Sequence, residues 1–451
     1  MFDAMTSRGP FILKGSTMVK FSALMSVPFI MVLGNSMLIP VLPEMKAAMH
    51  LTQLQNSLII SAFSVPAGIA IALAGFLSDR FSRKVVIVPS LLVYGAGGLV
   101  AGLGALFLQE SAYGIVLTGR VIQGLGAAGT AFVALALAGD IFTSSERSKA
   151  LGLMEASNGL GKVLSPILGS LLGLIAWYAP FFLFVLLCVP AAAAVWFMVK
   201  EPKRQAAKLS AGQYYSKVLS IFKQKTGSLL ASFFAGTMVL FLLFGVLFYF
   251  TEILEKEYKI EGLPKGFIIA VPVLVMSLTS YFTGHFLQHR QYLLKPAVWV
   301  GLAIEALSLA TPGFVKNNWV LFGAIAVMGL GSGLALPALN TLITSSTRKE
   351  QRGMVTSAYG SVRFFGVAAG PPIFGMLMNG GRPVVLFTSA TLALSAAVIA
   401  FALIKPGQMD VQGKGGGEQP ADGGKESDKA SDNSKFRPRP RSQPDNRTPL
   451  G

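Results

Sequence analysis

Two apolar runs, Leu58 to Ala74 and Val85 to Leu108, flank the decapeptide Gly75-Phe76-Leu77-Ser78-Asp79-Arg80-Phe81-Ser82-Arg83-Lys84. The hydrocarbon core of a bilayer is roughly 30 Å thick and takes about 20 helical residues to cross. Both runs suit bilayer spans, and the decapeptide between them leaves room only for a helix end and a tight loop. One acidic and three basic residues are thereby pinned at one membrane face. The rest of the 451-residue chain repeats the pattern, with 53% hydrophobic and 13% charged residues. A soluble domain of this size carries about twice that charge.

Segmentation predicts an all-α multi-pass membrane protein with twelve transmembrane helices: Phe21 to Leu42, Gln55 to Leu77, Val85 to Leu108, Tyr113 to Ala138, Lys149 to Leu172, Pro180 to Val199, Ser228 to Phe250, Lys265 to Leu287, Pro296 to Ala310, Val320 to Ile343, Met354 to Met378 and Val384 to Ile404. No cleavable signal peptide is expected, because the first run is long, carries Pro40 and Pro43, and lacks a small-residue cleavage pattern after a short core. Basic residues collect in alternate loops: Arg8, Lys14 and Lys20; the decapeptide; Arg147 and Lys149; Lys200, Lys203, Arg204, Lys208, Lys217, Lys223 and Lys225; Arg290 and Lys295; Arg348, Lys349 and Arg352. The loops between are sparse or acidic, as at Glu252, Glu255, Glu257 and Glu261. Short cytoplasmic loops carry the lysine and arginine excess, so both termini are expected in the cytoplasm, with the chain in a bacterial cytoplasmic membrane. The net charge of +17 is then a topology signal and no nucleic-acid partner is expected.

The single cysteine, Cys188, lies in an apolar run, and His50, His285 and His289 form no ligand cluster, so neither a disulfide nor a metal is expected. After Ile404 the composition turns to Gly, Ser, Pro and mixed charge without apolar periodicity, which cannot build a core. The expected organisation is an N-terminal segment over 1–19, a six-helix bundle over 20–199, a basic linker over 200–227, a second bundle over 228–404 and a disordered tail over 405–451.

The two bundles are related in sequence. Val121-Ile122-Gln123-Gly124-Leu125-Gly126 and Ala326-Val327-Met328-Gly329-Leu330-Gly331 lie 205 positions apart (329 − 124), as do Arg147 and Arg352, and Pro166 and Pro371. Ungapped matches over two helices and a loop point to a duplicated six-helix unit, pseudo-symmetric around a central cavity.

These residues also carry a family resemblance. The decapeptide resembles the loop signature of the major facilitator superfamily, G-x-L-a-D-r-x-G-r-k, with Gly75, Leu77, Asp79, Arg80, Arg83 and Lys84 in place and Ser82 where glycine is usual. Leu117-Thr118-Gly119-Arg120-Val121-Ile122-Gln123-Gly124 resembles the family's fourth-helix motif, and Leu33-Gly34 with Pro40-Val41-Leu42-Pro43 resembles the first-helix signature of the twelve-helix drug and proton antiporters. Gly161-Lys162-Val163-Leu164-Ser165-Pro166-Ile167-Leu168-Gly169-Ser170 resembles the antiporter motif g-x-x-x-G-P-x-x-G-G, with Ser165 and Ser170 replacing two glycines and Lys162 adding a charge. The resemblance implies alternating access, with Gly75, Asp79, Arg80, Arg83, Lys84 and Asp140 as a conformational latch. It also implies that Gly161, Ser165, Pro166 and Gly169 bend or thin the fifth span.

Charged residues inside spans are costly, roughly 2.5–3.5 kcal/mol for arginine on insertion scales, and so mark a cavity or a partner. Arg120 either couples protons or contacts cargo, or it ties to carbonyls of the first helix. Glu155 and Lys162, seven apart, share a helical face and are read as an intramembrane pair with Glu155 as proton carrier. Glu305, the acid of the ninth span, is a second candidate carrier. Asn35, Gln123, Asn158, Lys162 and Arg363 are the candidate cavity residues, Asn158 and Arg363 being repeat partners. Phe, Tyr and Met residues from Phe233 to Phe250 either line a cargo pocket or pack the bundle.

Gly161-Lys162 is no phosphate loop, since Val163 stands where Ser or Thr is required and Ala156 where the first glycine belongs. Energy is then expected from an ion gradient, with no cofactor. The expected function is proton-coupled export of an amphipathic small molecule of the multidrug type. Export of a secreted metabolite such as a siderophore, proton-coupled import, and a non-transporting membrane receptor are the alternatives. The partners expected are cargo, protons and lipid, the chain being a monomer and not an enzyme.

Overall fold

The computed structural model describes residues 15–142, 144–202, 212, 226–287, 290–315, 317–346 and 352–405. Most of the linker, the tail beyond Lys405 and the side chains of Arg147, Lys149, Arg348, Lys349 and Arg352 lie outside the described residues. The helices are α1 (Gly15–Ser36), α2 (Leu42–Ala48), α3 (Gln53–Arg80), α4 (Arg83–Leu108), α5 (Tyr113–Ala128), α6 (Ala131–Ile141), α7 (Ser144–Gly173), α8 (Ala179–Met198), α9 (Thr226–Lys256), α10 (Gly262–Leu287), α11 (Leu294–Phe314), α12 (Asn318–Ser345), α13 (Arg352–Leu377) and α14 (Gly381–Leu403). Ten stretches of the described residues are long and apolar enough to cross a bilayer; the last, Gly353–Leu403, holds both α13 and α14. The 30-residue α7 is not among these stretches; it packs between them on α1 and α10.

Two expected spans are each built from two helices. The first leaves α-geometry after Ser36, passes through a short 3-10 turn at Ile39–Val41 and resumes as α2, where Pro40 and Pro43 remove backbone donors. The fourth breaks at Gly129 and Thr130 between α5 and α6, the Thr130 hydroxyl donating back to the Ala127 carbonyl at 2.6 Å. Side-chain caps close some of the starts: Thr52 and Gln55 form a reciprocal box at the start of α3.

Packing repeats between the halves. In the first, α1 packs on α7 and α8, α5 on α3 and α4, and α4 on α8; in the second, α9 packs on α13 and α14, α12 on α10 and α11, and α11 on α14. The fold is two pseudo-symmetric six-helix bundles. Gly161 and Gly366, 205 positions apart (366 − 161), make the same contact in each: an added Cβ would press on the Phe29 carbonyl oxygen of α1 and on the Thr237 carbonyl oxygen of α9. The halves meet along α3 with α13 and α7 with α10. Across the first seam Ser61 donates to the Ala368 carbonyl at 2.6 Å, Ser361 donates to the Gly68 carbonyl, and Phe76 and Leu77 meet Met354. The end of the bundle carrying the decapeptide is called the decapeptide face below, and the other end the opposite face.

Candidate functional site

A cavity of about 110 Å³ lies between the halves, walled by α1, α6, α7, α9, α10 and α13. Its polar lining is Asn35, Ser36, Asn158, Lys162 and Arg363, with no acidic residue, and its apolar wall includes Leu243, Phe244, Met276 and Phe364. The repeat partners Asn158 and Arg363 thus line one space, as the pseudo-symmetry requires. Arg363 donates from Nη1 to Asn340 Oδ1 at 3.3 Å and sits 5.0 Å from the centre of the Tyr359 ring. Its Nε, with Asn35 Oδ1 and Asn158 Oδ1, is buried without a hydrogen-bond partner among the described residues. Buried polar atoms are ordinarily satisfied, and these three are polar atoms left unpartnered on residues that line the cavity.

Glu155 and Arg363 lie within electrostatic reach of Lys162. Glu155 itself is exposed, and no ion pair joins it to Lys162 among the described residues. Seven residues separate the two by about 10 Å along the helix axis, so sharing a face does not bring their tips together.

Gln123 is outside the cavity. It is fully buried and accepts from Arg120 Nη1 at 2.9 Å. Arg120 also donates to the Gly34 carbonyl of α1 at 2.9 Å and the Ile59 carbonyl of α3 at 3.2 Å, and lies 4.4 Å from the centre of the Phe63 ring. Of the two readings of Arg120, this geometry is that of a strut between helices. Glu305 is fully buried between α11 and α12, away from the cavity; Ser332 donates to its Oε1 at 2.6 Å and its Oε2 has no partner among the described residues. Phe241 and Phe250 pack edge-on against Phe374 and Phe322, while Leu240, Leu243, Phe244 and Leu247 reach the cavity.

The antiporter-like segment packs α7 onto its neighbours. Ser165 donates to the Leu33 carbonyl at 3.3 Å, Gly169 lies on the Met37 carbonyl, and α7 runs unbroken through Pro166.

At the decapeptide, α3 stops at Arg80 and α4 starts at Arg83, yet Arg83 Nη2 still reaches Asp79 Oδ1 at 3.5 Å and its Nε reaches Asp140 Oδ2 at 2.5 Å. The expected pairing therefore spans a helix break. Arg80 lies 5.9 Å from the Phe81 ring centre, and Lys84 donates to the Val199 carbonyl at 2.9 Å. Sequence reasoning missed Glu201, which accepts from the Ser82 hydroxyl and from the backbone N–H of Arg83 at 2.9 Å and Lys84 at 3.0 Å. It is an anion on a helix N-terminus. The only signal was an acid standing at the head of a basic linker. In the second half, Gln288 and His289 of the loop that follows α10 lie outside the described residues.

The family model described as Major Facilitator Superfamily matches residues 24–304 and 256–442. The chain belongs to this superfamily of transporters. It is 40% identical over 370 residues to the bacillibactin exporter of Bacillus subtilis (strain 168), covering 82% of this chain and 92% of that one. It is 28% identical over 316 residues to the class B tetracycline resistance protein of Escherichia coli, covering 69% of this chain and 75% of that one. These relatives accord with the drug and proton antiporter branch of the superfamily. Among solved structures, a D-xylose-proton symporter superposes with a TM-score of 0.70 at 12% identity, over 87% of this chain and 98% of that one, which shows the shared fold.

Proposed function

We propose that this transporter exports an anionic amphipathic metabolite of the siderophore class from the cytoplasm, driven by protons. The observation that carries this reading is the cavity lining: two cations, Lys162 and Arg363, no acid, unpartnered amide oxygens on Asn35 and Asn158, and a broad apolar wall. A cationic, partly dehydrated site favours negative charge, and the wall accepts aromatic or aliphatic surface. The likeness to the bacillibactin exporter supports the same cargo class. The apolar wall and the tetracycline-resistance relative favour amphipathic drugs as a second reading.

At about 110 Å³ the cavity is smaller than the roughly 300–1,000 Å³ of ordinary ligand pockets, so cargo enters in a state with the halves further apart. For proton coupling we assign Glu305 first. Among the described residues it is buried beside a hydroxyl with no ion-pair partner, so it exchanges a proton without breaking an ion pair. Glu155, exposed near Lys162, is the second candidate. Both termini are placed in the cytoplasm and the chain acts as a monomer.

Proteoliposomes with an imposed proton gradient test this, using bacillibactin as the probe. Lys162→Met and Arg363→Met are expected to lower transport about tenfold or more, as loss of a charge-assisted hydrogen bond of about 1.5–3 kcal/mol requires. Transport unchanged in both, with the proteins folded, defeats the anionic-cargo reading. Glu305→Gln keeps the shape but cannot release a proton, so it should lose gradient-driven transport and keep cargo counterflow. Glu155→Gln makes the same comparison for the second candidate.

A further inference from the structure

The opposite face holds charges that the cavity and the decapeptide do not use. Lys265, at the start of α10, is completely buried, and its Nζ lies 2.6 Å from Glu44 Oε1 and 2.8 Å from Glu255 Oε2. Glu44 belongs to α2 in the first half, whereas Glu255 and Lys265 belong to α9 and α10 in the second. A second set lies beside it. Lys46 of α2 reaches Glu252 of α9 at 4.0 Å, and Glu252 is paired at 2.8 Å with Lys256 of its own helix. Lys46 also donates to Gln53, whose Nε2 contacts Met378 Sδ at 3.6 Å across the seam. Beneath these groups Gly266 is pressed on Ser170, where an added Cβ would lie 2.7 Å from the serine side chain.

Each bridge between the halves is thus backed by a partner within the second half: Glu255 behind Lys265, and Lys256 behind Glu252. Taking one partner from a buried ion pair is expensive when the other is left alone. Here separation releases Glu44 and Lys46 to water on a short helix, while Lys265 and Glu252 keep a counter-ion. The arrangement closes the face firmly and still opens without stranding a charge.

We propose that Glu44, Lys265 and Glu255 form an exchange gate of the opposite face. Lys265 is bridged to Glu44 when the face is closed and held by Glu255 alone when it is open. This rests on the alternation that transport requires, and its test reads accessibility, so a wrong cargo assignment leaves the result unaffected.

The full chain with Cys188→Ser and Val32→Cys carries one thiol on the cavity wall, and Phe81→Cys in a separate chain marks the decapeptide face. Labelling with a membrane-impermeant maleimide from each side of sealed vesicles then reports which face opens. Glu44→Gln and Lys265→Met should raise labelling of Val32→Cys from the opposite face by about tenfold, the effect of a 1.4 kcal/mol shift. Glu255→Gln should lower it, because opening would then leave Lys265 without a counter-ion. A merely structural cluster would move both glutamine variants in the same direction. That outcome, or no shift in either, overturns the gate. Monodispersity and helix content establish folding, and where Lys265→Met fails to fold the two glutamine variants decide.

Discussion

Ser82 shows how one residue reorganises a loop. Where the family signature has glycine, Ser82 has φ −136° and ψ 136°, extended backbone that any residue adopts, so glycine is not needed there. Its side chain caps α4 by accepting from the Val85 N–H at 3.3 Å and donates to Glu201. Burial raises the Glu201 pKa, but hydrogen bonds from Ser82, Lys84 and Arg83 and the Arg83 charge outweigh burial and hold it below the usual carboxylate value. A depressed carboxyl stabilises the fold above its unfolded pKa, and the contribution is lost as pH falls through the folded one. Glu201→Gln should therefore lower the melting temperature at pH 7, and the difference from the parent should close as the pH falls from the usual carboxylate value through the lower folded one. A pH-independent difference would show that the carboxylate charge is not what matters. Arg120 makes a different case, since its three donors reach three acceptors on α1, α3 and α5. Lysine cannot reproduce that fork, so Arg120→Lys should destabilise the protein by about 1–3 kcal/mol in thermal unfolding. Unaltered stability with selective loss of proton coupling would restore the coupling role.

Among helices, α7 separates what packing demands from what propensity prefers. Gly169 faces the Met37 carbonyl with no room for a side chain, while Gly152 of the same helix has nothing within 4 Å of an added Cβ. Gly169→Val should force α7 off α1 and sharply reduce folded protein. Gly152→Ala should gain up to about 1 kcal/mol. Equal effects in size-exclusion and melting measurements would contradict the packing assignment. The same contrast explains what was legible in the sequence. The apolar spans could be read because bilayer thickness sets their length, and Asn35, Asn158, Lys162 and Arg363 stood out because polar groups are rare within such runs. The breaks at Pro40 and at Gly129 could not be placed, since spanning helices tolerate proline and glycine wherever neighbours satisfy the freed backbone. Gln123 was misplaced because it is helix rotation against α4 that decides whether it meets a cavity or Arg120. Lys265 read only as the start of a span and Glu44 was not singled out, because nothing local shows that helix ends 221 residues apart meet.

At the scale of the whole molecule, ion pairs between the halves are found among the described residues on the opposite face. Among the described residues, the decapeptide charges pair within the first half, and the contact that crosses is apolar, Phe76 and Leu77 against Met354. On the opposite face the crossing contacts include the ionic bridges Glu44–Lys265 and Lys46–Glu252, beside Gln53 on Met378 and Gly266 on Ser170. An apolar contact such as Phe76 on Met354 reforms without angular precision, whereas the proposed gate needs Glu44 and Lys265 to return to register. Variants on the two faces should then push the balance in opposite directions. Met354→Ala weakens the decapeptide face and should raise labelling of Val32→Cys from that side by a few-fold, about 1 kcal/mol for partial loss of a buried contact. Lys265→Met should raise it from the other side, and combining the two should bring the ratio of labelling between faces back toward that of the parent. Sites this far apart add unless a shared equilibrium links them. If each variant raised labelling on its own face and neither altered the other face, the halves would be opening independently. Compensation in the double variant would mean that one rocking equilibrium governs both ends of the cavity.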